Sequence, residues 1–307
     1  MADLRHLRYF LAIVERGSLS KAAETLRVAQ PALSTHVKKL EHEFGCRLLH
    51  RTQRGIVPTE SGLRLKKRAK ILLEMADGLS DDVRGIEAVP SGPAVIGIPT
   101  SLGTTLSVPL IKRVRQSFPA VRLRVMEALS GHMARWVLSG DADMALVFGA
   151  ELPAGLSSTF LAREDLCLVA PKDAPETASR PRIGMDRVLD LPLILPGRPH
   201  GVREEVERAA AIRHRRPDVV VELDALDQIK ALVADGIGFT VLSRRYATQG
   251  PLAGSLAVVP VEKPAIWRTI SLAHSSERPL SAAAQAVHKA VLDLVAGLTT
   301  DGRWTAG

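Results

Sequence analysis

Between Gly17 and Gly45 two helix-forming stretches are joined by only three residues, Arg27, Val28 and Ala29. The first stretch is LSKAAETL, Leu19 to Leu26, with Ala22 and Ala23 small enough for another helix to approach closely. The second contains Leu33, Val37, Leu40 and Phe44 at spacings of four, three and four, which predicts one apolar face packed in a core. Pro31 suits its first turn, because the ring presets the backbone dihedral and the missing N–H would have had no intrahelical partner. An earlier helix is expected from Leu4 to about Glu15, with Leu7, Phe10, Leu11 and Val14 on one face. Gly17 suits the left-handed residue that ends it, and Ser18 supplies an N-cap oxygen to the next helix. So short a join between two helices describes a helix-turn-helix, whose second helix can enter a major groove.

The face opposite the apolar one carries Pro31, Thr35, Lys38 and His42, with Ala32, Ser34 and Lys39 beside them. Short hydroxylic side chains at the leading end let a backbone approach base edges, and Lys38 with Lys39 can neutralise phosphates. A solvated structural helix is the alternative, although it would more often carry Glu and Lys pairs there. Charge distribution favours the first reading. Residues 1–70 hold 15 Lys or Arg against 6 Asp or Glu, a net +9, whereas the other 237 residues hold 26 against 27, a net −1. A basic module on a neutral body suits nucleic acid or an anionic surface.

The next segment, RLLHRTQRGIVPTESG, places Arg51 and Arg54 before a turn at Gly55, a short strand at Ile56 and Val57, and a helix start at Pro58 and Thr59. That pattern is a basic β-wing, whose arginines would touch the DNA backbone or minor groove. Taken together, LRYFLAIVERGSLSKAAETLRVAQPALSTHVKKLEHEFGCRLLHRTQRGIVPTESG resembles the winged helix-turn-helix of LysR-type transcriptional regulators. Residues 1–62 are the expected DNA-binding domain. The resemblance implies DNA contacts by Ser20, Gln30, Pro31, Ala32, Ser34, Thr35, Lys38, Lys39, Arg51 and Arg54. Two departures stand out: Thr35 occupies a position where the family usually has Arg, and Leu49-His50 replaces a common Phe-acid pair.

From Thr59 a helical pattern continues to about Ala88, before Pro90, Gly92 and Pro93. Leu65, Ala69, Leu72, Ala76, Leu79, Val83 and Ile86 alternate at four and three, the spacing of a coiled-coil seam that requires a partner helix. Leu63 and Leu73 lie off that seam and could touch the body of their own protomer. A linker over 59–90 that pairs two copies would present two reading heads to an interrupted, roughly palindromic operator. The resemblance implies an antiparallel linker-helix dimer, often doubled into a tetramer, with RNA polymerase a candidate further partner.

After Pro93, strands and amphipathic helices alternate as in an α/β body with βαβ units. AVIGI, VRLRVME, DMALVFG, PLILP, VVVEL, GFTVL and AIWRTISLAH read as strands, PTSLG as a loop, and Ala282 to Leu298 as the last helix. Extended crossings near 161–170 and 261–274 divide residues 93–300 into two lobes, 93–161 with 268–300 and 162–267. The resemblance implies a two-lobed periplasmic-binding-protein-like (type II) effector domain.

Ligands in such folds sit beyond strand ends where helix starts converge. Thr100 and Ser101 follow the first strand, Ser130 precedes a helix, and GRPHG, 197–201, offers Arg198 and His200. Gly236 and Gly238 form an expected turn bordering the cleft. The resemblance implies effector contacts at the loops of Thr100, Ser101 and Ser130, and their positions in the chain add His200 and Gly238 as candidates, an arrangement suited to a small anion; ordinary caps and turns are the alternative. The GRPHG loop also resembles members of the nitrogen assimilation control subgroup, some of which respond through their own abundance without a small effector. Enzyme function is not expected: G-x-S-x-G, H-E-x-x-H, P-loop and G-x-G-x-x-G arrangements are absent, and nine histidines lack metal-ligand spacing. His36, His42 and His50 read as surface or phosphate-facing. No cofactor is expected. Cys46 and Cys167 are too few for a disulfide framework or thiolate zinc site, which suits a reducing compartment. An acidic third residue, and the lack of a long apolar run before Glu15, are unlike a secretory signal, and no segment has the length of a membrane span, so a cytoplasmic location without a membrane partner is expected. A transport receptor sharing the body would need a signal and no residues 1–90.

Overall fold

The computed structural model describes residues 3–52, 55–84, 89–149, 151–177 and 181–300. The chain divides between residues 88 and 89 into two compact units. The first contains α1 (Leu4–Arg16), α2 (Leu19–Leu26), α3 (Gln30–Phe44), β1 (Leu49–Thr52), β2 (Gly55–Pro58) and α4 (Glu60–Arg84). Local signals end these helices as the chain's chemistry requires. Gly17 stops α1 at φ 62°, a left-handed conformation that costs a side-chain-bearing residue energy. Ser18 then caps α2 by accepting from the Lys21 amide. Arg27 closes α2 in the same left-handed region, its amide turned back on the Ala23 and Glu24 carbonyls.

The core of this unit holds Leu7, Phe10, Ile13, Leu33, Leu40 and Leu48, each no more than 2% exposed. Ile13 was not in the predicted face of α1, whereas the predicted Leu11 and Val14 are only half-buried. Phe44 is a second correction: it is 48% exposed, and Leu48 of the following segment packs in the cluster beside Leu40 instead. On α4, Ala69 and Leu73 are buried against Leu7 and Phe10. The first part of the heptad run therefore covers α1 of its own chain, because the open face of α1 needs apolar cover as much as a partner helix would. Leu73 packs within the amino-terminal unit of its own chain, whereas Leu63 and Leu72 are about half exposed, at 54% and 49%. The side chains of Leu79 and Val83, and Ile86, lie outside the described residues.

The second unit contains β3 (Gly92–Pro99), α5 (Thr100–Ser117), β4 (Val121–Ala128), α6 (Met133–Ser139), β5 (Met144–Phe148), β6 (Leu156–Pro171), β7 (Ile183–Gly184), α7 (Met185–Leu189), β8 (Leu193–Leu195), α8 (Gly201–Ala211), β9 (Val219–Glu222), α9 (Leu226–Ala234), β10 (Thr240–Ser243), α10 (Arg244–Ala247), β11 (Leu256–Glu262), β12 (Trp267–Ser275) and α11 (Ala282–Thr300). PTSLG is not a loop. Pro99 is the extended N-cap and α5 begins at Thr100, so Ser101 and Gly103 lie in its first turn.

Only part of the sheet is parallel. β3 runs parallel to β4 and β5, and β8 to β9, as βαβ connections dictate. The crossing strands are antiparallel: β12 pairs with β5 and with β6 over Leu156 to Asp165, while β10 and β11 pair with β6 from Leu166 onward. One long strand thus belongs to both lobes. The first lobe packs Ile96, Ile98, Leu102, Leu106 and Leu146 against Val287 and Val291 of α11. The second packs Leu166 and Leu168 with Leu193, Leu195, Val202 and Val206.

Candidate functional site

The amino-terminal unit presents most of its predicted polar side chains to solvent. Leu33, Val37 and Leu40 anchor α3 inward, so Pro31, Thr35, Lys38 and Lys39 are exposed, with Ala32 and Ser34 half-buried at the margin. Ser20 and Gln30 are exposed and joined, the Ser20 hydroxyl donating to Gln30 Oε1 at 3.3 Å across the turn. Thr35 donates its hydroxyl to the Pro31 carbonyl at 3.0 Å, which leaves its lone pairs and methyl for an outside partner. Arg51 is exposed on β1; Arg54 lies outside the described residues.

Two features of this unit escaped the sequence. Glu41 accepts from the Leu48 and Leu49 amides at 2.8 and 3.3 Å, so α3 holds the start of β1 directly. His36 is half-buried against other rings. Its ring is 4.5 Å from that of His6 and 5.1 Å from that of Tyr9, and burial, with the positive potential of His6 next, holds its pKa below the ordinary value.

In the second unit the lobes meet over the predicted effector residues. The Ser130 hydroxyl accepts from the Gly201 amide at 3.1 Å. Beside it, Gly131 approaches so closely that an added Cβ would stand 2.2 Å from the Pro199 carbonyl oxygen. His200, 2% exposed, is the N-cap of α8, its Nδ1 accepting from the Val202 amide at 3.3 Å. Burial first, then the nearby Arg268, depresses its pKa to about 4, so at neutral pH it supplies no positive charge. Gly238 packs on the Pro192 carbonyl and the Ile194 side chain and does not line the cavity described below.

Ser101 meets a group that the sequence had not suggested. Arg268, on β12, lies opposite Glu164 in the β6 register and is 1% exposed. Its Nη2 donates to the Ser101 hydroxyl at 3.0 Å, its Nε and Nη2 lie 2.8 and 2.7 Å from Glu164 Oε2, and its guanidinium covers the Phe148 ring at 3.5 Å. One turn along α5, Thr105 accepts from Arg245 of α10 at 2.8 Å. A buried charge in an apolar strand is the signal that could have pointed to Arg268 and Glu164, since each would be costly without the other. Their partnership itself was not readable.

Among the expected contacts, Thr100 lines a cavity of about 420 Å³ with Ala128, Leu129, His132, Asp224, Ala225, Leu226, Asp227, Gln228 and Tyr246. Two helix starts open here, α5 after Pro99 and α9 after Ala225, and neither is capped by a side chain. Carboxylates stand beside them. Asp224 accepts from the Gly197 amide at 2.9 Å, and Asp227 accepts from the Tyr246 hydroxyl at 2.9 Å while pairing with the buried Lys230 at 3.1 Å. Burial raises the pKa of Tyr246, and Asp227 reinforces that shift. No described helix is long and apolar enough to cross a membrane.

Comparison with known proteins agrees with this two-unit organisation. Residues 4–63 match the model of the bacterial regulatory helix-turn-helix protein, lysR family, and residues 87–296 match the LysR substrate binding domain. The chain is 32% identical over 302 residues to the nitrogen assimilation regulatory protein nac of Klebsiella aerogenes, covering 98% of each. It is 25% identical over 269 residues to the HTH-type transcriptional regulator CysL of Bacillus subtilis, covering 88% of this chain and 90% of that one. Among solved structures, a point variant of full-length OxyR from Pseudomonas aeruginosa superposes with TM-score 0.78 at 24% identity, over 96% of this chain and 98% of that one. Full-length CbnR in complex with its target DNA gives TM-score 0.65 at 20% identity, over 95% and 99%.

Proposed function

Because the chain belongs to the LysR family of transcriptional regulators, we propose that it reads an interrupted palindromic operator in the cytoplasm with two copies of its α3 face. In this reading residues 1–62 bind DNA, 59–90 join two protomers, and 93–300 form the regulatory body. The observation that carries it is the exposed sector of α3, where Pro31, Thr35, Lys38 and Lys39 stand opposite a fully buried Leu33 and Leu40. Pro31, Ala32, Ser34 and Thr35 address base edges, with Ser20 and Gln30 at the mouth of the turn. Lys38, Lys39, Arg51 and Arg54 address phosphates.

The regulatory body takes a small molecule in the Thr100 cavity, between the starts of α5 and α9. Ser101, Ser130, His200 and Gly238 make contacts within the chain around it: Ser101 accepts from Arg268, Ser130 joins the lobes at Gly201, His200 caps α8, and Gly238 packs on Pro192 and Ile194. The relatives are regulators, and this chain acts likewise by binding. Genome-wide mapping of sites bound by the full chain tests the DNA reading. Enrichment of a recurring inverted half-site supports it, and scattered retention without a shared sequence overturns it. A thermal-shift panel of small metabolites tests the cavity.

A further inference from the structure

Both lobes wall the Thr100 cavity, but its charge comes from one of them. The first lobe supplies neutral groups, Thr100, Leu129 and His132 among them, and the second supplies the carboxylates of Asp224 and Asp227 beside Leu226. Lysine and arginine are absent from the described lining. An arginine N–H can only donate, so His132 Nδ1 accepts from Arg135 Nη2 at 2.5 Å and Nε2 is the N–H of a neutral ring. The starts of α5 and α9 would ordinarily draw an anion, yet each already has an acid of the chain beside it. Asp227 stands in the first turn of α9. Glu127 lies against the first turn of α5, its Oε2 2.5 Å from where a Cβ on Gly103 would stand. Asp227 also shows what its carboxylate can hold: Oδ1 pairs with the buried ammonium of Lys230, which donates as well to the Gln249 carbonyl. Asp224 uses Oδ1 on the Gly197 amide. Oδ2 of both residues makes no hydrogen bond among the described residues.

We propose that the Thr100 cavity takes a small amine in its ammonium form, the charge held by Asp224 and Asp227 and the carbon frame lying against Leu129 and Leu226. The proposal rests on the reading of this cavity as the small-molecule site and adds the chemical class of its ligand. An ammonium brings three donors to two carboxylates that each keep an oxygen unbonded, and such charge-assisted hydrogen bonds are the strong ones. The apolar part of the wall covers the rest of the ligand, as is usual where a few polar groups fix orientation. A small anion would meet the same two carboxylates with no cation in the described lining to offset them. Because the acids stand on one lobe and Leu129 on the other, the bound amine touches both.

The test titrates the full chain with phenethylamine, phenethyl alcohol and phenylpropanoate, three probes of matched frame, at equal ionic strength and follows Tm. The expected result is a saturable rise with the amine and none with the alcohol or the carboxylate. Asp224→Asn and Asp227→Asn keep an oxygen for the Gly197 amide and the Tyr246 hydroxyl while removing the charge, and each should weaken the amine by about tenfold or more. Asp173→Asn, an exposed acid outside the cavity lining, should bind as the wild type does. An amine response that survives in both cavity variants overturns the proposal. Should either variant fail to fold, amide exchange on the wild type decides: added protection at 224–230 with phenethylamine supports the contact, and unchanged protection overturns it. If the alcohol or the carboxylate raises Tm and the amine does not, the amine class is overturned while the cavity stands as a small-molecule site. Silence from all three probes and from the metabolite panel overturns both.

Discussion

Arg245 of α10 donates through Nε to the hydroxyl of Thr105 on α5, 2.8 Å away, so a residue of the second lobe is held by the first helix of the other. Both groups lie in a partly buried interface, where loss of one hydrogen-bond partner costs about 1–3 kcal/mol. Thr105→Val keeps the shape and removes the acceptor. It should weaken lobe docking by about 1–2 kcal/mol, visible as faster amide exchange in residues 244–247. Thr105→Ser should retain wild-type protection; equal loss in both variants would rule out the hydroxyl as the cause.

Gly131 makes the second lobe contact by having no side chain. With the Pro199 carbonyl 2.2 Å from an added Cβ, Gly131→Ala cannot fit without movement of one backbone. The expected cost is about 1–3 kcal/mol, as for overpacking elsewhere. Solution scattering should report a more open second unit and urea titration a lower midpoint. Unaltered values for both would show that the approach relaxes freely.

Acid should loosen the second unit through His200. Its folded pKa of about 4 lies below the ordinary 6.5, so the unfolded chain binds the proton more readily. The stabilising contribution is therefore complete above pH 6.5 and is lost as pH falls toward 4. At pH 5 the loss amounts to about 2 kcal/mol. His200→Asn preserves a capping acceptor for the Val202 amide without the titration. Between pH 7 and 5 its unfolding midpoint should fall less than that of the wild type, and a matching fall would remove His200 as the cause. His288, also held low by burial, titrates in both proteins and cancels from the comparison.

On DNA, Lys38→Ala should weaken binding to every sequence and flatten the plot of log affinity against log salt by about one unit per head. Thr35→Ala should instead relax one position in each half-site by about 1–3 kcal/mol. Because the Thr35 hydroxyl is already directed to Pro31, Thr35→Val should keep any preference that its methyl supplies. Selection from a randomised operator pool checks both. Uniform loss for Thr35→Ala would remove it from base reading.

Adjacent residues on α4 should separate folding from assembly. Leu73 is buried at 7% beneath α1, so Leu73→Ala should cost the amino-terminal unit about 2–4 kcal/mol in denaturant titration. Leu72, 49% exposed, should be nearly neutral for folding. If its face joins two protomers, Leu72→Glu shifts the sedimentation profile toward monomer. An unchanged profile would place the dimer contact elsewhere.

The sequence by itself determined the features that act within one turn or one periodicity. Gly17, Ser18 and Pro31 punctuate the helices where their backbone chemistry requires, and Leu33, Val37 and Leu40 select the buried side of α3, which exposes Thr35 and Lys38 on the other. The two-lobed body was also visible, since alternation of strands and helices is local. Tertiary structure decided which local options were used. The same apolar stripe on α4 could cover a partner helix or α1, and only packing assigned Ala69 to α1. Ser101, Ser130 and His200 carried hydrogen-bonding capacity that either a ligand or the chain could satisfy. Arg268 lies 167 residues from Ser101 and 104 from Glu164, and Gly201 lies 71 from Ser130. Such partners share no periodicity or turn chemistry; a buried polar group requires a partner but does not say which one, and the paired strands β6 and β12 supply that answer by setting the register.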